Sequence, residues 1–204
     1  MGHRFAKIAF TPTVKAMQEQ NGSRPSYARL ERHEVSNDRL SAREAAFITA
    51  RDSFYMASVG ETGWPYIQHR GGPTGFVRVL DEHNLGFADF RGNRQYVSVG
   101  NLVKDDRVSL FFMDYANRNR LKLLGRVTLV EATNRAVLER LVVPGYRAAI
   151  ERGFLITVEA FDWNCSQHIT PRFTAGDFED ATSKLRQRIA DLEAQLAQSR
   201  TAGS

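Results

Sequence analysis

Arginines in this chain gather beside glycines and polar turns, a combination that suits the binding of phosphate. Three such stretches occur, at residues 67–73 (IQHRGGP), 87–96 (FADFRGNRQY) and 117–122 (NRNRLK). A guanidinium group presents parallel N–H donors that match two phosphate oxygens. A neighbouring glycine has no Cβ and lets a ligand approach the backbone closely. The sequence therefore predicts a site for an anionic ligand.

The first stretch joins a polar triplet, Gln68, His69 and Arg70, to the pair Gly71 and Gly72. We interpret the triplet as ligand-contacting and the glycines as the point where the ligand meets the backbone. The alternative is a surface loop whose glycines only turn the chain.

The second and third stretches each place a cation where an anion could bind. Asn93, Arg94 and Gln95 precede a predicted helix, whose free N–H groups and positive end favour a phosphate. The alternative is ordinary turn chemistry, with solvated arginines and Asn93 as a helix cap. Arg120 and Lys122 share one face of a predicted strand and indicate either a bound anion or a solvated face.

Residues for other kinds of catalysis are poorly arranged. His168 follows Cys165 by three residues, but catalytic pairs are normally assembled by the fold, so we interpret Cys165 as structural or close to a cofactor. The histidines lack metal-ligand spacing, and the chain has neither a dinucleotide fingerprint nor a phosphate-binding lysine loop. We predict no metal site and assign no catalytic residue.

Short strands dominate the predicted architecture. A capping box from Ser41 to Glu44 starts a helix that runs to about residue 50. Seven strands are predicted, at 53–59, 64–69, 76–80, 85–90, 107–113, 121–131 and 154–161. Further helices are predicted at 96–103, at 133–142 and from Pro144 to Gly153. Because few helices separate the strands, an antiparallel barrel with peripheral helices fits better than a parallel sheet.

The two ends of the chain differ from this central part. We predict an extension over residues 1–40 with a short helix near 14–20, a barrel domain over 41–176, and a C-terminal amphipathic helix over 177–198. Apolar positions of that helix alternate at spacings of four and three, as the a and d positions of a coiled coil do. They are Phe178, Thr182, Leu185, Ile189, Leu192 and Leu196. The helix either pairs with a second chain or docks on its own domain.

The composition is that of a globular protein with a basic surface. Of its 204 residues, 42% are hydrophobic and 25% are charged, which argues against wholesale disorder. The net charge of +5 could attract nucleic acid, membranes or phosphates, or could serve solubility alone. A single cysteine excludes an intramolecular disulfide. No segment has the apolar length of a membrane span or of a signal sequence, so we expect a cytoplasmic protein.

Residues 40–173 together resemble the pyridoxamine 5′-phosphate oxidase-like family of FMN-binding split barrels. The resemblance rests on residues 65–102, 105–127 and 163–173, in the order strand, GGP loop, strand, GNRQ turn and R-x-K strand. It implies a mainly β fold, a six-stranded antiparallel split barrel. It also implies a homodimer that binds two FMN molecules between its subunits.

The resemblance further implies roles for individual residues. Those along the isoalloxazine and ribityl side of FMN are Gln68, His69 and Arg70. Those at the phosphate are Arg78, Asn93, Arg94 and Gln95. Arg120 corresponds to the residue that reaches the flavin from the second subunit. Trp163 corresponds to the tryptophan near the flavin ring, and Arg172 to a later arginine of the family.

One departure from the family bears on the function. True pyridoxamine 5′-phosphate oxidases carry an Arg-Leu-His-Asp-Arg run that holds the substrate, whereas the equivalent region here, residues 167–172, reads QHITPR. The leading hypothesis is therefore an FMN-dependent oxidoreductase with an unidentified small-molecule substrate. The alternatives are a flavin-binding or sensing module without turnover, a deazaflavin-dependent reductase and a nucleic-acid-binding protein. The flavin hypotheses require Arg70 and Arg94 to face one cleft.

Overall fold

The computed structural model describes residues 3–32, 37–163 and 167–202 of the chain. These residues divide into two compact units. The larger unit contains the described residues up to 163 except 115–118. The smaller unit contains 115–118 and the described residues from 167 onward.

Seven helices and seven strands form among the described residues. The helices are α1 (Arg4–Ala9), α2 (Pro12–Gln20), α3 (Arg24–Arg32), α4 (Ala42–Thr49), α5 (Val97–Lys104), α6 (Arg135–Leu141) and α7 (Ala175–Ala202). The strands are β1 (Ser53–Val59), β2 (Pro65–Gly71), β3 (Arg78–Val79), β4 (Asn84–Phe90), β5 (Arg107–Asp114), β6 (Asn119–Glu131) and β7 (Ile150–Trp163).

The strands form one antiparallel sheet in the order β2-β1-β5-β6-β7-β4-β3. This is the mainly β architecture with peripheral helices that the sequence predicts, and all seven strands predicted from the residues are present. The sheet has seven strands where the resemblance implies six, and one of the seven is the two-residue edge strand β3, which pairs with β4.

Phenylalanine rings fill the hydrophobic core that the curled sheet encloses. Phe54 of β1 stacks on Phe112 at 4.9 Å between ring centroids and meets Phe87 of β4 edge-to-face at 5.3 Å. Phe87 in turn stacks on Phe154 of β7 at 4.8 Å, and Phe76 joins from the loop after β2. All five side chains are fully buried. This packing curls the sheet, so that β2 at one edge approaches β4 near the other.

Two glycines show where the sequence interpretation and the structure differ. A Cβ at Gly72 would lie 2.8 Å from the Phe76 ring, so packing against the core by itself requires a glycine at this position. The helix predicted from Pro144 to Gly153 is wrong, because β7 already begins at Ile150 and pairs with its neighbours there. At Gly153 a Cβ would lie 2.9 Å from Leu141, so this glycine lets α6 pack on β7 rather than ending a helix.

Several local signals are confirmed. The backbone N–H of Ser41 donates to Glu44 at 3.0 Å, and the Ser41 hydroxyl accepts from Arg43 N–H at 3.2 Å, which caps α4 as expected. The helix expected near residues 14–20 lies within α2, and those expected at 96–103 and 133–142 correspond to α5 and α6.

The N-terminal helices belong to the larger unit, and one buried amide attaches them to β7. Asn37 is 3% exposed, and its Nδ2 donates to the Phe161 carbonyl at 2.7 Å while its Oδ1 accepts from Arg4 N–H at 2.8 Å. The Arg4 side chain also pairs with Glu159 at 2.8 Å. The extension is thus fixed to the outside of the barrel.

In the smaller unit, α7 is the main element, and the guanidinium of Arg172 lies over the Tyr115 ring at 4.9 Å. None of the described helices is both long enough and apolar enough to cross a membrane.

The pairing of Glu159 predicts a pH-dependent contribution to stability. Hydrogen bonds from Arg4 and Arg126 lower the pKa of Glu159 below its ordinary value of 4.5. The ionised carboxylate therefore stabilises the fold above the unfolded pKa, and this contribution is lost as the pH falls through the folded pKa. We expect Glu159→Gln to lower the free energy of unfolding by about 0.5–1 kcal/mol at neutral pH, since its partners are largely solvated. The measurement is urea unfolding from neutral pH into acid.

The difference between the parent and Glu159→Gln should disappear below the folded pKa, where the parent carboxyl is itself neutral. The matched control is Glu139→Gln on the exposed side of α6, for which no such loss is expected. If the difference in unfolding free energy between the parent and Glu159→Gln persisted unchanged into acid, the stabilisation would not come from the ionised Glu159 carboxylate.

Candidate functional site

A cleft of about 260 Å³ opens between β2, the turn before α5 and the beginning of β7. Its lining residues are Gln68, Arg70, Asp89, Phe90, Gly92, Asn93, Arg94, Tyr96, Ser98, Val99 and Glu151. A second cleft of about 180 Å³ adjoins it and continues towards the core along Phe76 and Phe87. Residues that line both are Gln68, Arg70, Asp89, Phe90 and Gly92.

Strand alternation decides which β2 residues face the cleft. Gln68 and Arg70 lie two residues apart, so they share one face of the strand. His69 points to the opposite face, where its ring packs edge-to-face on Tyr55 at 5.6 Å. The second cleft borders His69 as well as Gln68 and Arg70. The Gln68 carboxamide oxygen accepts a hydrogen bond from the Ser98 hydroxyl at 2.7 Å, which ties β2 to α5.

A buried carboxylate joins the strands that meet at the cleft. Asp89 of β4 pairs with Arg70 Nη1 at 2.6 Å and with Arg152 Nε at 3.3 Å. Asp89 and Arg152 are opposite each other on β4 and β7, whereas Arg70 reaches across from β2. The Arg70 guanidinium also lies over the Phe154 ring at 5.0 Å, an arrangement that favours a cation.

Burial shifts the pKa values of both members of the Arg70–Asp89 pair. The side chains are 12% and 9% exposed. Burial raises the pKa of the Asp89 carboxyl, although the charges of Arg70 and Arg152 oppose this shift. Burial likewise lowers the pKa of Arg70, and Asp89 opposes that shift. Both shifts reflect the cost of removing charge from water, so the charged form of each group depends on the opposite charge of the other.

A β-bulge directs a second carboxylate towards the cleft. The register between β4 and β7 shifts so that Glu151 has no opposite residue, and a bulge of this kind re-aims a side chain. Glu151 accepts hydrogen bonds from Arg91 Nε at 3.1 Å and from the Tyr96 hydroxyl at 3.2 Å. Although desolvation opposes them, these bonds lower the pKa of Glu151.

The turn before α5 has an unusual backbone. Arg94 and Tyr96 have φ values of +62° and +54°, which side-chain-bearing residues seldom adopt and which tend to occur at functional sites. Asn93 Oδ1 accepts from Gln95 N–H at 3.2 Å and stabilises the turn. Among the residues that the structure describes, no side chain caps α5, whose N-cap residue is Tyr96. The first N–H groups of α5 therefore remain available to an anion beside the exposed Arg94.

The structure brings together four of the residues that the sequence analysis selects. Those that line the larger cleft are Gln68, Arg70, Asn93 and Arg94. Arg70 and Arg94 thus face one cleft, as the flavin hypotheses require. His69 borders only the second cleft, and Gln95 contributes its backbone to the turn.

The other four selected residues lie elsewhere. Arg78 donates to the Val142 carbonyl at the end of α6, at 2.9 Å. Arg120 lies over the Phe111 ring at 5.6 Å and does not line either cleft. Arg172 belongs to the smaller unit.

Trp163 contacts α4 rather than the cleft. Its indole N–H donates to Glu44 Oε1 at 2.7 Å, and its ring packs edge-to-face on Phe47 at 4.7 Å. The Arg43 guanidinium lies over the same ring at 4.3 Å. Any role of Trp163 in the cleft of its own chain is therefore not supported by its contacts.

Sequence reasoning missed several residues that line or support the cleft, namely Asp89, Tyr96, Ser98, Glu151 and Arg152. One signal was available, since Asp89 is the one charged residue of a largely apolar strand, where a charge requires a partner. The bulge at Glu151 leaves no such signal in the sequence.

Among the described residues, no three histidine, cysteine, aspartate or glutamate side chains form a group that could hold a metal ion. The interpretation of Cys165 concerns a residue outside the described ranges.

Comparison with known proteins gives one extended match. A family model described as pyridoxamine 5′-phosphate oxidase matches residues 40–155, which is more than half of the chain. A comparison with curated proteins finds no match for this chain.

Solved structures with partial similarity include HupZ from Group A Streptococcus, with 14% identity, a TM-score of 0.45, and coverage of 66% of this chain and 100% of that chain. An FMN-binding protein from Syntrophomonas wolfei has 10% identity and a TM-score of 0.47, covering 72% of this chain and 97% of the other. An F420 reductase has 16% identity and a TM-score of 0.42, covering 57% of this chain and 94% of the other.

The buried pair predicts a large effect of removing the Asp89 charge. Asp89→Asn keeps the shape and one acceptor but leaves Arg70 and Arg152 without a counter-charge. Loss of one partner from a buried pair costs about 3 kcal/mol or more. For a chain of this size, that loss corresponds to a fall in Tm of roughly 6–12 °C, measurable by thermal unfolding.

The control is Asp105→Asn, since Asp105 pairs with the solvated Arg107 at the surface and should change Tm little. If both variants had the same Tm, the pairing of Asp89 with Arg70 and Arg152 would not stabilise the fold.

Proposed function

This chain belongs to the pyridoxamine 5′-phosphate oxidase family, and we propose that it is an FMN-binding flavoprotein that acts as an oxidoreductase on a small molecule. In this proposal the chain works as a homodimer in the cytoplasm, with each flavin at the boundary of two subunits. The observation that carries the proposal is that Gln68 and Arg70 of β2 line one cleft with Asn93 and Arg94 of the turn before α5.

The phosphate end of the cofactor is assigned to the turn and to α5. The Arg94 guanidinium is exposed and donates a 3.2 Å hydrogen bond to the Tyr96 hydroxyl, so it can turn towards an anion at little cost. The uncapped N–H groups of α5 add a positive helix end at the same place. Positive φ values at Arg94 and Tyr96 bend the backbone on both sides of Gln95, whose own N–H is held by Asn93 Oδ1.

The ring end is assigned to the side of the cleft formed by β2. Ser98 holds the Gln68 carboxamide oxygen, which leaves the Gln68 amide nitrogen to donate to a ligand. Phe90, which is half-buried, lines both clefts and offers apolar surface to a planar ring, while the buried rings of Phe76 and Phe87 lie beneath the adjoining cleft. The cleft thus has a cationic turn at one end and an apolar side chain beside β2, which suits a molecule that carries both a phosphate and a planar ring.

Two observations support the fit of a bound cofactor. The Arg70 Nε atom is buried and has no hydrogen-bond partner among the described residues, so a donor remains for a ligand. The two adjoining clefts, of about 260 and 180 Å³, together reach the size of small-molecule sites, which span roughly 300–1,000 Å³.

Within this proposal the chain binds and orients, and it does not supply an acid or a base. When bound, the flavin supplies hydride transfer at its N5 atom. Arg70, held in place by Asp89, would stabilise negative charge on the pyrimidine side of the reduced ring. Arg94 would retain the phosphate. No catalytic residue is assigned, and the substrate is proposed only as a small molecule.

The proposed dimer draws support from exposed apolar side chains on two elements that also contribute to the cleft. Trp64, Ile67 and Val103 are 77%, 65% and 71% exposed, and they lie just before β2, on β2 and near the end of α5. Apolar surface of this kind is typical of protein interfaces. Arg120, which also has a buried Nε without a partner among the described residues, is proposed to act on the flavin bound to the other subunit.

The proposal predicts that the purified protein is yellow and that Arg94 controls phosphate binding. Arg94→Ala removes one charge-assisted contact, so FMN affinity should fall on the order of 10- to 100-fold. The measurement is a titration of the apoprotein followed by quenching of flavin fluorescence. Riboflavin, which lacks the phosphate, should bind parent and variant equally.

Arg107→Ala is the matched control, because it also removes one arginine charge but from an exposed pair with Asp105 outside the cleft. Equal FMN affinity in the parent and in Arg94→Ala would remove Arg94 from the site. A loss of riboflavin binding as large as the loss of FMN binding would show that the turn had been distorted rather than deprived of a phosphate contact.

The role of Arg120 gives a separate prediction. Arg120→Ala should weaken FMN binding by about 10-fold, although Arg120 lines neither cleft of its own chain. Affinity should fall because the substitution removes a cation that one subunit supplies to the flavin bound to the other. The same titration measures it, with light scattering to verify the dimer, and unchanged affinity in an intact dimer would exclude Arg120.

Mass spectrometry of the released chromophore separates FMN from a deazaflavin. Reduction by a nicotinamide donor and reoxidation by a small molecule separate an enzyme from a binding or sensing module. A colourless protein whose binding to nucleic acid weakens steeply with salt would instead support the nucleic-acid alternative.

A further inference from the structure

The longest helix, α7, carries apolar side chains that remain exposed along one seam. Phe178, Leu185, Ile189 and Leu192 are 60%, 64%, 56% and 47% exposed. They recur at spacings of seven, four and three, which places them on one side of the helix. A helix gains most of its stability by burying such a side against another element.

The seam has the composition of a two-stranded coiled coil. The a positions are Thr182, Ile189 and Leu196, and the d positions are Phe178, Leu185 and Leu192. β-branched residues at a, together with leucine at d, favour two parallel strands over larger assemblies. Two of the three a positions are β-branched, and two of the three d positions are leucine.

The polar member of the seam is already satisfied within its own helix. The Thr182 hydroxyl donates to the Phe178 carbonyl at 2.7 Å. It can therefore enter an apolar interface without leaving a donor unpaired, which would otherwise oppose burial.

The beginning of the helix is fixed by a reciprocal cap. Asp177 N–H donates to the Thr174 hydroxyl at 3.1 Å, and Thr174 N–H donates to Asp177 Oδ2 at 2.8 Å. The helix therefore begins at a defined residue, so two copies can align with the same register.

The charges beside the seam distinguish parallel from antiparallel pairing. In a parallel pair, a g position faces the e position of the next heptad on the other helix. Arg188 at g then faces the partner's Glu193 at e, and this attractive contact occurs twice. An antiparallel pair that overlaps the whole seam would instead set Arg186 and Arg188 against their own copies and Glu179 against the partner's Glu193. These contacts are all repulsive.

We propose that α7 pairs with α7 of a second copy of this chain, in register, as a parallel two-stranded coiled coil. A parallel pair has a two-fold axis along its length, which is the symmetry of the commonest homodimers. The inference depends on α7 alone and does not require that the chain bind flavin.

Cysteine cross-linking in the full-length chain tests the proposal. The single native cysteine, Cys165, is replaced by serine, and Leu185→Cys or Ala194→Cys is introduced. Residues at d meet their own copies in a parallel pair, whereas Ala194 at f faces away. Leu185→Cys should therefore form disulfide-linked dimers on the order of 10-fold faster than Ala194→Cys. Circular dichroism verifies that α7 remains helical in both variants.

Charge substitutions then test the direction of pairing on the Leu185→Cys background. Glu193→Arg should slow cross-linking by roughly threefold, because it places two arginines together. Arg188→Glu combined with Glu193→Arg should restore the rate. In an antiparallel pair, Glu193→Arg would face the partner's Glu179 and accelerate association, so the two arrangements predict opposite signs.

Equal cross-linking of Leu185→Cys and Ala194→Cys, or none in either, would overturn the proposal. Faster cross-linking after Glu193→Arg would overturn the parallel arrangement. Since neither readout involves flavin, both distinguish failure of the coiled coil from failure of the proposed function.

Discussion

The buried carboxylate of Asp89 is the constraint on which the barrel and its cleft both depend. The backbone ladder runs from β2 to β3 without joining the two edges of the sheet. Side chains must therefore hold β2 near β4, and Asp89 does so by pairing with Arg70 while it opposes Arg152 on β7. Because Arg70 and Asp89 also form the wall of the cleft, folding fixes the shape of the site before a ligand arrives. Preorganisation of this kind lowers the entropic cost of binding.

The elements that the sequence predicts correctly are those specified by neighbouring residues. The Ser41–Glu44 cap requires only a hydroxyl and a carboxylate three residues apart, and it forms as expected. β1 occupies the predicted residues 53–59 because a run of apolar and aromatic residues ends at Gly60. The turn at Asn93 is likewise a local signal, since glycine and asparagine side by side favour a bend.

Features that depend on distant residues could not be predicted. The partner of Arg70 lies 19 positions away on a strand that is not its neighbour in the sheet. The resemblance implies that Trp163 lies near the flavin ring, whereas its indole contacts Glu44, 119 residues away, and packs on α4. The sequence predicts a helix that ends at Gly153, whereas β7 begins at Ile150 and Gly153 makes room for Leu141 of α6. In each case tertiary packing, rather than local preference, determines the outcome.

Arginine is frequent in this chain, but its position decides what each guanidinium can do. Arg70 is buried over an aromatic ring and held by a carboxylate, so its geometry is fixed and only its remaining donors can meet a ligand. Arg94 is solvated on a backbone in the left-handed region, so it is free to approach an anion. A fixed, desolvated cation can orient a bound molecule, because water does not screen its charge. A solvated cation contributes affinity for an anion, and salt reduces this contribution. A cleft with one cation of each kind can orient the ring end of a molecule and retain its phosphate end by different means.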